Sequence, residues 1–228
     1  VCSSDLSCFH VPSVVDKLPA GLTWRTYGGG SGHNVGTAFG LVKGIGEDGT
    51  VRNEHFFPYS QLYTDIDSGN MANFTHIDVA SAPNGASEHP PASPCTGENF
   101  TVNIINKIMQ GPHWNETAII VTWDDFGGWY DHVPPPKQYG CDDTTPYGLG
   151  FRLPLIIVSP YAKVNHVDHR YTEQTSVLRF IEDNWGVGRI GDASFDQRAG
   201  SLSGMFDFRH PRAGRLILDP KTGAPVSH

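Results

Sequence analysis

The chain has 228 residues, of which 38% are hydrophobic and 18% charged, and its formal net charge at pH 7 is −8. This composition is typical of a globular protein with one sizeable core, and nothing in it points to two domains. The acidic balance argues against nucleic acid as a partner, because that affinity comes largely from Lys and Arg, and no apolar run approaches the roughly 20 residues of a membrane-spanning helix.

The chain begins V-C-S-S-D-L, without Met, and residues 1–6 are expected to be a non-native segment. The main domain is predicted for residues 7–208. Residues 209–228, which carry prolines and polar residues, are expected to form a peripheral tail. At the start of the main domain, residues 11–17 predict the end of an amphipathic helix, and residues 22–27 predict a strand.

Residues 28–49 form a glycine-rich loop that lacks the Gly-Lys-Ser/Thr ending of a P-loop. His33 and Asn34 in this loop either reach a ligand or are simply solvated. Next, residues 57–68 predict a helix that ends at a glycine, and residues 74–79 predict a strand.

The string S-E-H-P-P contains Glu88 and His89, followed directly by two prolines. The prolines predict a stiff loop that presents the imidazole. A neutral imidazole can bind a metal, and a protonated one can stabilise phosphate oxygens or protonate a leaving group. A single His in a loop usually has none of these roles, so the assignment depends on its surroundings.

Residues 96–99 open the clearest helical pattern, which Gly111 and Pro112 stop. Glu98 and Asn99 are metal ligands by type, but an acid and an amide at a helix start are expected to be structural. The four cysteines show no zinc-site spacing. Cys95 and Cys141, both predicted in loops, either form a disulfide or remain free thiols.

The most informative stretch, residues 118–136, reads A-I-I-V-T-W-D-D-F-G-G-W-Y-D-H-V-P-P-P. Its apolar start predicts a strand buried on both faces in a mostly parallel sheet. Asp124 and Asp125 follow at the carboxyl end, where open α/β sheets place ligands. Because adjacent carboxylates repel each other, a fold that pairs them near its core usually has a cation to hold them. We expect a divalent metal ion here; the alternative is a solvated turn.

Beyond this stretch, residues 153–159 predict a second strongly buried strand, and Arg152 before it is expected to reach a phosphate or to form a structural ion pair. The loop before it contains Asp142 and Asp143, which predict a solvated turn. Residues 171–184 predict an amphipathic helix, and residues 196–205 a last short helix.

The string T-W-D-D-F-G-G-W-Y-D-H-V-P-P-P resembles the most recognisable motif of the bacterial phosphoesterase family that contains the phospholipases C and related acid phosphatases. Further strings follow in the family's order: L-P-A-G-L-T-W-R-T-Y, S-E-H-P-P, G-E-N-F, and G-x-R-x-P-L-I-I-V-S-P-Y-A-K with T-S-V-L-R-F-I-E. The resemblance covers residues 9–188. It breaks at Gln174, where family members commonly have His.

The resemblance implies an α/β fold of the alkaline-phosphatase-like type, three layers with a mostly parallel sheet, of which this chain is expected to hold the C-terminal part. It implies hydrolysis of phosphate esters, either phosphodiesters of phospholipid head groups or phosphomonoesters. In that chemistry a metal-bound Ser or Thr attacks phosphorus. The matching nucleophile and Glu-Asn motifs are not in this chain, so little turnover is expected from it alone.

The resemblance also assigns roles to single residues. Asp124 and Asp125 would hold the metal, and His89 would contact the phosphoryl group or the leaving oxygen. Three more side chains are expected to orient the ligands or touch substrate: Asp131, His132 and Glu88. The parent protein is expected to be secreted or periplasmic. The alternative is a catalytically inactive fragment or a ligand-binding remnant of the same fold.

Overall fold

The structure is a computed structural model that describes residues 9–28, 38–45, 49–79, 86–136, 149–212 and 214–226. The chain divides into two compact units, each of which is described by itself. Unit 1 comprises Val1–Val15, Pro19–Asn115 and Gly214–His228, and unit 2 comprises Asp16–Leu18 and Glu116–Ala213. In the described ranges, no helix is long and apolar enough to cross a membrane.

Unit 1 is built on a parallel three-stranded sheet. Its strands are β1 (Trp24–Tyr27), β2 (Phe56–Phe57) and β3 (Phe74–Ile77), in the spatial order β2-β1-β3. The central strand pairs in parallel with both neighbours. Thr26 and Tyr27 are buried, as expected for a strand with a partner on each side.

Three helices accompany this sheet: α1 (Gly49–His55), α2 (Tyr59–Ser68) and α3 (Pro94–Gln110). As predicted, α2 ends at a glycine, which adopts a left-handed φ of 69°. The start of α3 precedes the predicted one, because Ser93 occupies the N-cap and a proline the first turn. Cys95 therefore lies in the helix rather than in a loop, as an exposed free thiol, and Cys141 lies outside the described residues.

A buried carboxylate ties α2 to β1. Asp65 accepts hydrogen bonds from Arg25 at 2.6 Å, from the Tyr27 hydroxyl at 2.6 Å and from Gln61 at 2.7 Å. Burial alone would raise the pKa of Asp65, but these donors and the Arg25 charge outweigh it and lower the pKa. Burial, followed by the hydrogen bond to Asp65, raises the pKa of Tyr27 to about 12.

The C-terminal segment, predicted to be a peripheral tail, lies against α3. The side chain of Asn106 donates to the Leu218 carbonyl at 2.7 Å and accepts from the Leu218 amide at 3.2 Å. Ile217 beside it is buried. A side-chain amide that makes both bonds to one residue fixes this segment much as a strand neighbour would.

Unit 2 contains strands β4 (Ile119–Thr122) and β5 (Leu155–Val158), which pair antiparallel. The prediction that both strands are strongly buried was wrong for the described structure: the residues of β4 are half-buried or exposed, and Ile156 in β5 is 50% exposed. The physical reason is that a two-stranded sheet leaves part of its faces open.

The helix predicted for residues 171–184 is α4 (Thr175–Trp185), which ends at Gly186 in a left-handed conformation. Two other predicted helices are only 3₁₀ turns. Residues 11–17 contain the single turn Val14–Lys17, and residues 196–205 overlap the turns Phe195–Gln197 and Ser203–Met205. Such short segments form too few i→i+4 bonds to repay α-helix nucleation.

Candidate active site

The site begins with a tight turn at the carboxyl end of β4, which we call the acidic turn (residues 123–128). Asp125 accepts the Gly127 amide on its own carboxylate at 2.5 Å, and the Trp129 amide donates to the Phe126 carbonyl at 3.2 Å. Gly127 and Gly128 have φ values of 64° and 75°, in the left-handed region. Only glycine adopts two such conformations in succession at low cost, so the Gly pair folds this turn.

The acidic turn presents two carboxylates to solvent, since Asp124 and Asp125 are both exposed. In the described part of the chain, no group of three or more His, Cys, Asp or Glu side chains is arranged to hold a metal ion. Asp124 and Asp125 alone would supply only part of the coordination shell of a metal ion. They suit a hard cation such as Mg²⁺ or Mn²⁺, which commonly binds one or two carboxylates and completes its shell with water and substrate oxygens.

The N-cap residue of α4 makes hydrogen bonds to the backbone of the acidic turn. The side-chain amide of Gln174 donates to the Trp123 carbonyl at 3.1 Å and to the Asp124 carbonyl at 2.6 Å. Gln174 is the N-cap residue of α4, 50 residues further along the chain. The position where the family resemblance breaks is therefore in direct contact with the acidic turn.

Asp131 and Arg152 form a two-bond ion pair beyond the acidic turn. Nε and Nη2 of Arg152 donate to the two oxygens of Asp131 at 2.8 and 2.7 Å, and the Val133 amide adds a bond of 3.0 Å. The Arg152 hydrogen bonds, then the Val133 amide, hold the pKa of Asp131 well below its usual range. Of the two alternatives for Arg152, the structure shows the ion pair.

Aromatic side chains surround this segment. The rings of Phe126 and Phe151 lie 4.8 Å apart, which joins the acidic turn to the segment before β5. The exposed His132 meets the Tyr130 ring edge-on at 5.1 Å. Trp129 and Tyr130 are 77% and 79% exposed, so they do not form the enclosed walls that a buried site would have.

Glu88 and His89 lie in unit 1, in the loop that leads into α3. Nδ1 of His89 lies 2.7 Å from the Pro90 carbonyl, and the Ala92 amide donates to the His89 carbonyl at 2.9 Å. A carbonyl only accepts, so the proton is assigned to Nδ1, which leaves Nε2 of the exposed ring for a ligand. Glu88 adopts a left-handed φ of 62°.

Gly97, in the first part of α3, makes room for that loop. A Cβ at this position would lie 2.1 Å from Cγ of Glu88 and 2.8 Å from the Ala86 carbonyl oxygen. The G-E-N-F string therefore owes its glycine to the close approach of Glu88. Sequence reasoning weighed only Glu98 and Asn99 in this string as possible ligands, although the glycine inside a helix was itself a signal of close packing.

Comparison with known proteins places these features in a family. The sequence model of the protein family described as "Phosphoesterase family" matches residues 5–188 of the chain. The chain belongs to the phosphoesterase family. Together with the parallel sheet of unit 1, this match confirms the predicted α/β, alkaline-phosphatase-like fold class.

The chain is similar to several proteins named as phospholipases C. It is 31% identical over 158 residues to the non-hemolytic phospholipase C of Pseudomonas aeruginosa, with 57% of this chain and 23% of the relative covered. It is 31% identical over 145 residues to phospholipase C B of Mycobacterium tuberculosis, with 55% and 28% covered. Non-specific phospholipase C4 of Arabidopsis thaliana is 30% identical over 131 residues, with 50% and 24% covered. The chain thus spans about a quarter of the length of these relatives.

The predicted site residues of the chain fall into two groups. Asp124, Asp125, Asp131 and His132 share one segment of unit 2, while Glu88 and His89 belong to unit 1. Sequence reasoning noted Gln174 only as a departure from the family; its place just before an amphipathic helix was the available signal. The remaining candidates lie outside the described residues: His33, Asn34, Asp142 and Asp143.

Proposed function

We propose that this phosphoesterase hydrolyses phosphate esters with the help of a divalent cation held by Asp124 and Asp125. The observation that carries the proposal is the acidic turn: two exposed carboxylates at the end of β4, on a backbone fixed by Gly127 and Gln174. Family membership supports the reaction class. The names of the relatives support phosphodiesters of phospholipid head groups as the substrates, with phosphomonoesters as the second class. The family resemblance favours a secreted or periplasmic protein.

Each group has a defined part in this proposal. A cation held by Asp124 and Asp125 would neutralise negative charge that develops on the phosphoryl oxygens. By the family resemblance, His89 would contact the phosphoryl group through Nε2 or, with both ring nitrogens protonated, donate the Nε2 proton to the leaving oxygen, because Nδ1 is engaged by Pro90. Asp131 and Arg152 hold the segment that follows the acidic turn. The hydroxyl nucleophile is not assigned to a residue of this chain.

The proposal is tested by hydrolysis of p-nitrophenyl phosphorylcholine, with the protein at the length that its gene encodes. Asp124→Asn and Asp125→Asn are each expected to lower kcat/KM by at least about 100-fold. Loss of a direct metal ligand should lower activity at least as much as loss of a group that only hydrogen-bonds to a ligand. The matched control is Asp192→Asn, at an exposed position of unit 2. His89→Asn is expected to lower kcat and leave Mn²⁺ affinity unchanged.

The same assay separates the alternatives. A higher kcat/KM on p-nitrophenyl phosphate would favour phosphomonoesters as the substrate. Full activity of the double variant Asp124→Asn/Asp125→Asn would contradict the proposed cation site. Binding of phosphorylcholine without turnover by the gene-encoded protein would instead support the ligand-binding alternative.

A further inference from the structure

Gln174 bridges two separate parts of unit 2 through one side-chain amide. Its Nε2 faces two consecutive carbonyl oxygens, those of Trp123 at 3.1 Å and Asp124 at 2.6 Å. A primary amide has two N–H donors on one nitrogen, so this contact uses the full donor capacity of Nε2. Two acceptors at this nitrogen also fix which end of the amide faces the turn.

The bridge fixes the backbone from which both candidate metal ligands project. Two carbonyls held by one planar group restrict the dihedral angles between them, and these angles set the directions of the Asp124 and Asp125 side chains. The turn is held on its other side by the Asp125–Gly127 bond at 2.5 Å. Just before the turn, the Thr122 hydroxyl donates to the Pro154 carbonyl at 3.1 Å and ties β4 to the segment before β5.

Gln174 is itself held by a well-connected helix start. The Glu173 amide donates to Oγ of Ser176 at 3.0 Å, and the Ser176 amide donates back to the Glu173 carbonyl at 2.8 Å. Nε and Nη2 of Arg198 donate to the Glu173 carboxylate at 3.1 and 3.2 Å. The amide therefore projects from a fixed point rather than from a free loop, as a group that orients a site requires.

We propose that Gln174 is a positioning residue, which holds the Trp123–Asp124 backbone so that Asp124 and Asp125 are presented together to a divalent cation. This inference rests on the proposed function for the cation and on the two hydrogen bonds for the positioning. It assigns a role to the residue at which this chain departs from the family pattern. Groups behind metal ligands typically change metal affinity by about 10- to 100-fold when they are removed.

The test uses Mn²⁺ as the probe and the 228-residue chain as the protein. Gln174→Met keeps the length of the side chain but removes both donors, and it is expected to weaken Mn²⁺ binding about 10-fold or more in an EPR titration. Gln174→His keeps at most one of the two donated bonds and is expected to fall between Met and the unaltered chain. Gln197→Met, at an exposed position of the same unit, is the matched control and is expected to bind like the unaltered chain.

Amide hydrogen exchange gives a second readout that needs no metal. In Gln174→Met the Gly127 and Trp129 amides are expected to exchange about 10-fold faster, while the thermal midpoint of the whole chain stays close to that of the control. If Gln174→Met lowers the thermal midpoint of the whole chain, the exchange rates of Gln174→His are compared with those of the unaltered chain instead, since His retains one donor.

The outcomes separate this inference from the proposed function. Unchanged exchange and unchanged Mn²⁺ affinity in Gln174→Met would overturn the positioning role. Absence of Mn²⁺ binding by the unaltered chain would overturn the proposed cation site, and the exchange rates would then still decide whether Gln174 holds the turn.

Discussion

At the scale of single residues, Asp131 is committed to Arg152. Two donated hydrogen bonds from the guanidinium and one from the Val133 amide occupy the carboxylate, and the Asp131 side chain is 16% exposed. Such a carboxylate is a poor metal ligand, because the cation would have to displace a guanidinium that matches it geometrically. Asp131 therefore fits a supporting role behind Asp124 and Asp125, which no ion pair engages within the described residues.

Replacing Arg152 should raise the pKa of Asp131, because the hydrogen bonds from the guanidinium are the main cause of its low pKa. In Arg152→Gln we expect this pKa to rise towards its ordinary value, as followed by NMR titration of the Asp carboxyl carbons. Because the folded-state pKa is depressed, the pair stabilises the fold above the unfolded-state pKa and loses this effect as pH falls through the folded one.

The control for this titration is Arg209→Gln, at an exposed position of the same unit. It should leave the Asp131 titration as it is. An unchanged Asp131 titration in Arg152→Gln would show that the ion pair is not formed in solution.

At the scale of elements, a buried acid pair joins α4 to the 3₁₀ turn Phe195–Gln197. Glu182 and Asp196 are both fully buried, and the Ile190 amide donates to both, at 3.0 and 2.8 Å. Arg189 donates to Glu182 at 2.8 Å and also pairs with Asp183. Burial first, and then the hydrogen bond to Asp196, raise the pKa of Glu182, while the pKa of Asp196 is lowered. The pair is thus expected to share one proton.

This pair should make the free energy of unfolding depend on pH. The folded-state pKa of Glu182 is raised above its ordinary value, so the folded chain binds more protons than the unfolded one, and the stability that this gives at low pH is lost as pH rises through the folded-state pKa. Glu182→Gln keeps a donor towards Asp196 and removes this titration. We expect the difference in thermal midpoint between Glu182→Gln and the unaltered chain to shift in favour of the variant between pH 5 and 8.

Glu116→Gln serves as the control, since Glu116 is exposed in the same unit. Its midpoint should follow that of the unaltered chain at every pH. If the midpoints of Glu182→Gln and the unaltered chain ran parallel from pH 5 to 8, the shared proton would be refuted.

At the scale of the whole molecule, local patterns predicted local structure. The apolar spacing of α2 and α4, with the glycine that ends α2, was sufficient to predict both helices. The Thr and aromatic residues predicted β1, and the alternation of side chains predicted β3. Helix α1 (Gly49–His55), G-T-V-R-N-E-H, was missed because it has almost no apolar periodicity. The burial of β4 was misjudged because burial depends on partner strands, which a local pattern does not specify.

In the candidate site, too, the features set by local sequence could be predicted and those set by the tertiary fold could not. Two carboxylates and a glycine pair could be predicted from one short string, because all of them are neighbours in sequence. The contacts that fix them could not, since Arg152 lies 21 residues from Asp131 and Gln174 lies 50 residues from Asp124. Pairings at such separations depend on the tertiary fold rather than on local propensity.

The central claim, that Asp124 and Asp125 hold a divalent cation, is tested most directly by Mn²⁺ stoichiometry. An EPR titration of the 228-residue chain should show one bound ion per molecule. In Asp124→Asn/Asp125→Asn, which removes both charges and keeps the shape of the side chains, this binding should disappear, whereas Asp192→Asn should retain it. Equal Mn²⁺ binding by the double variant and the unaltered chain would contradict the account.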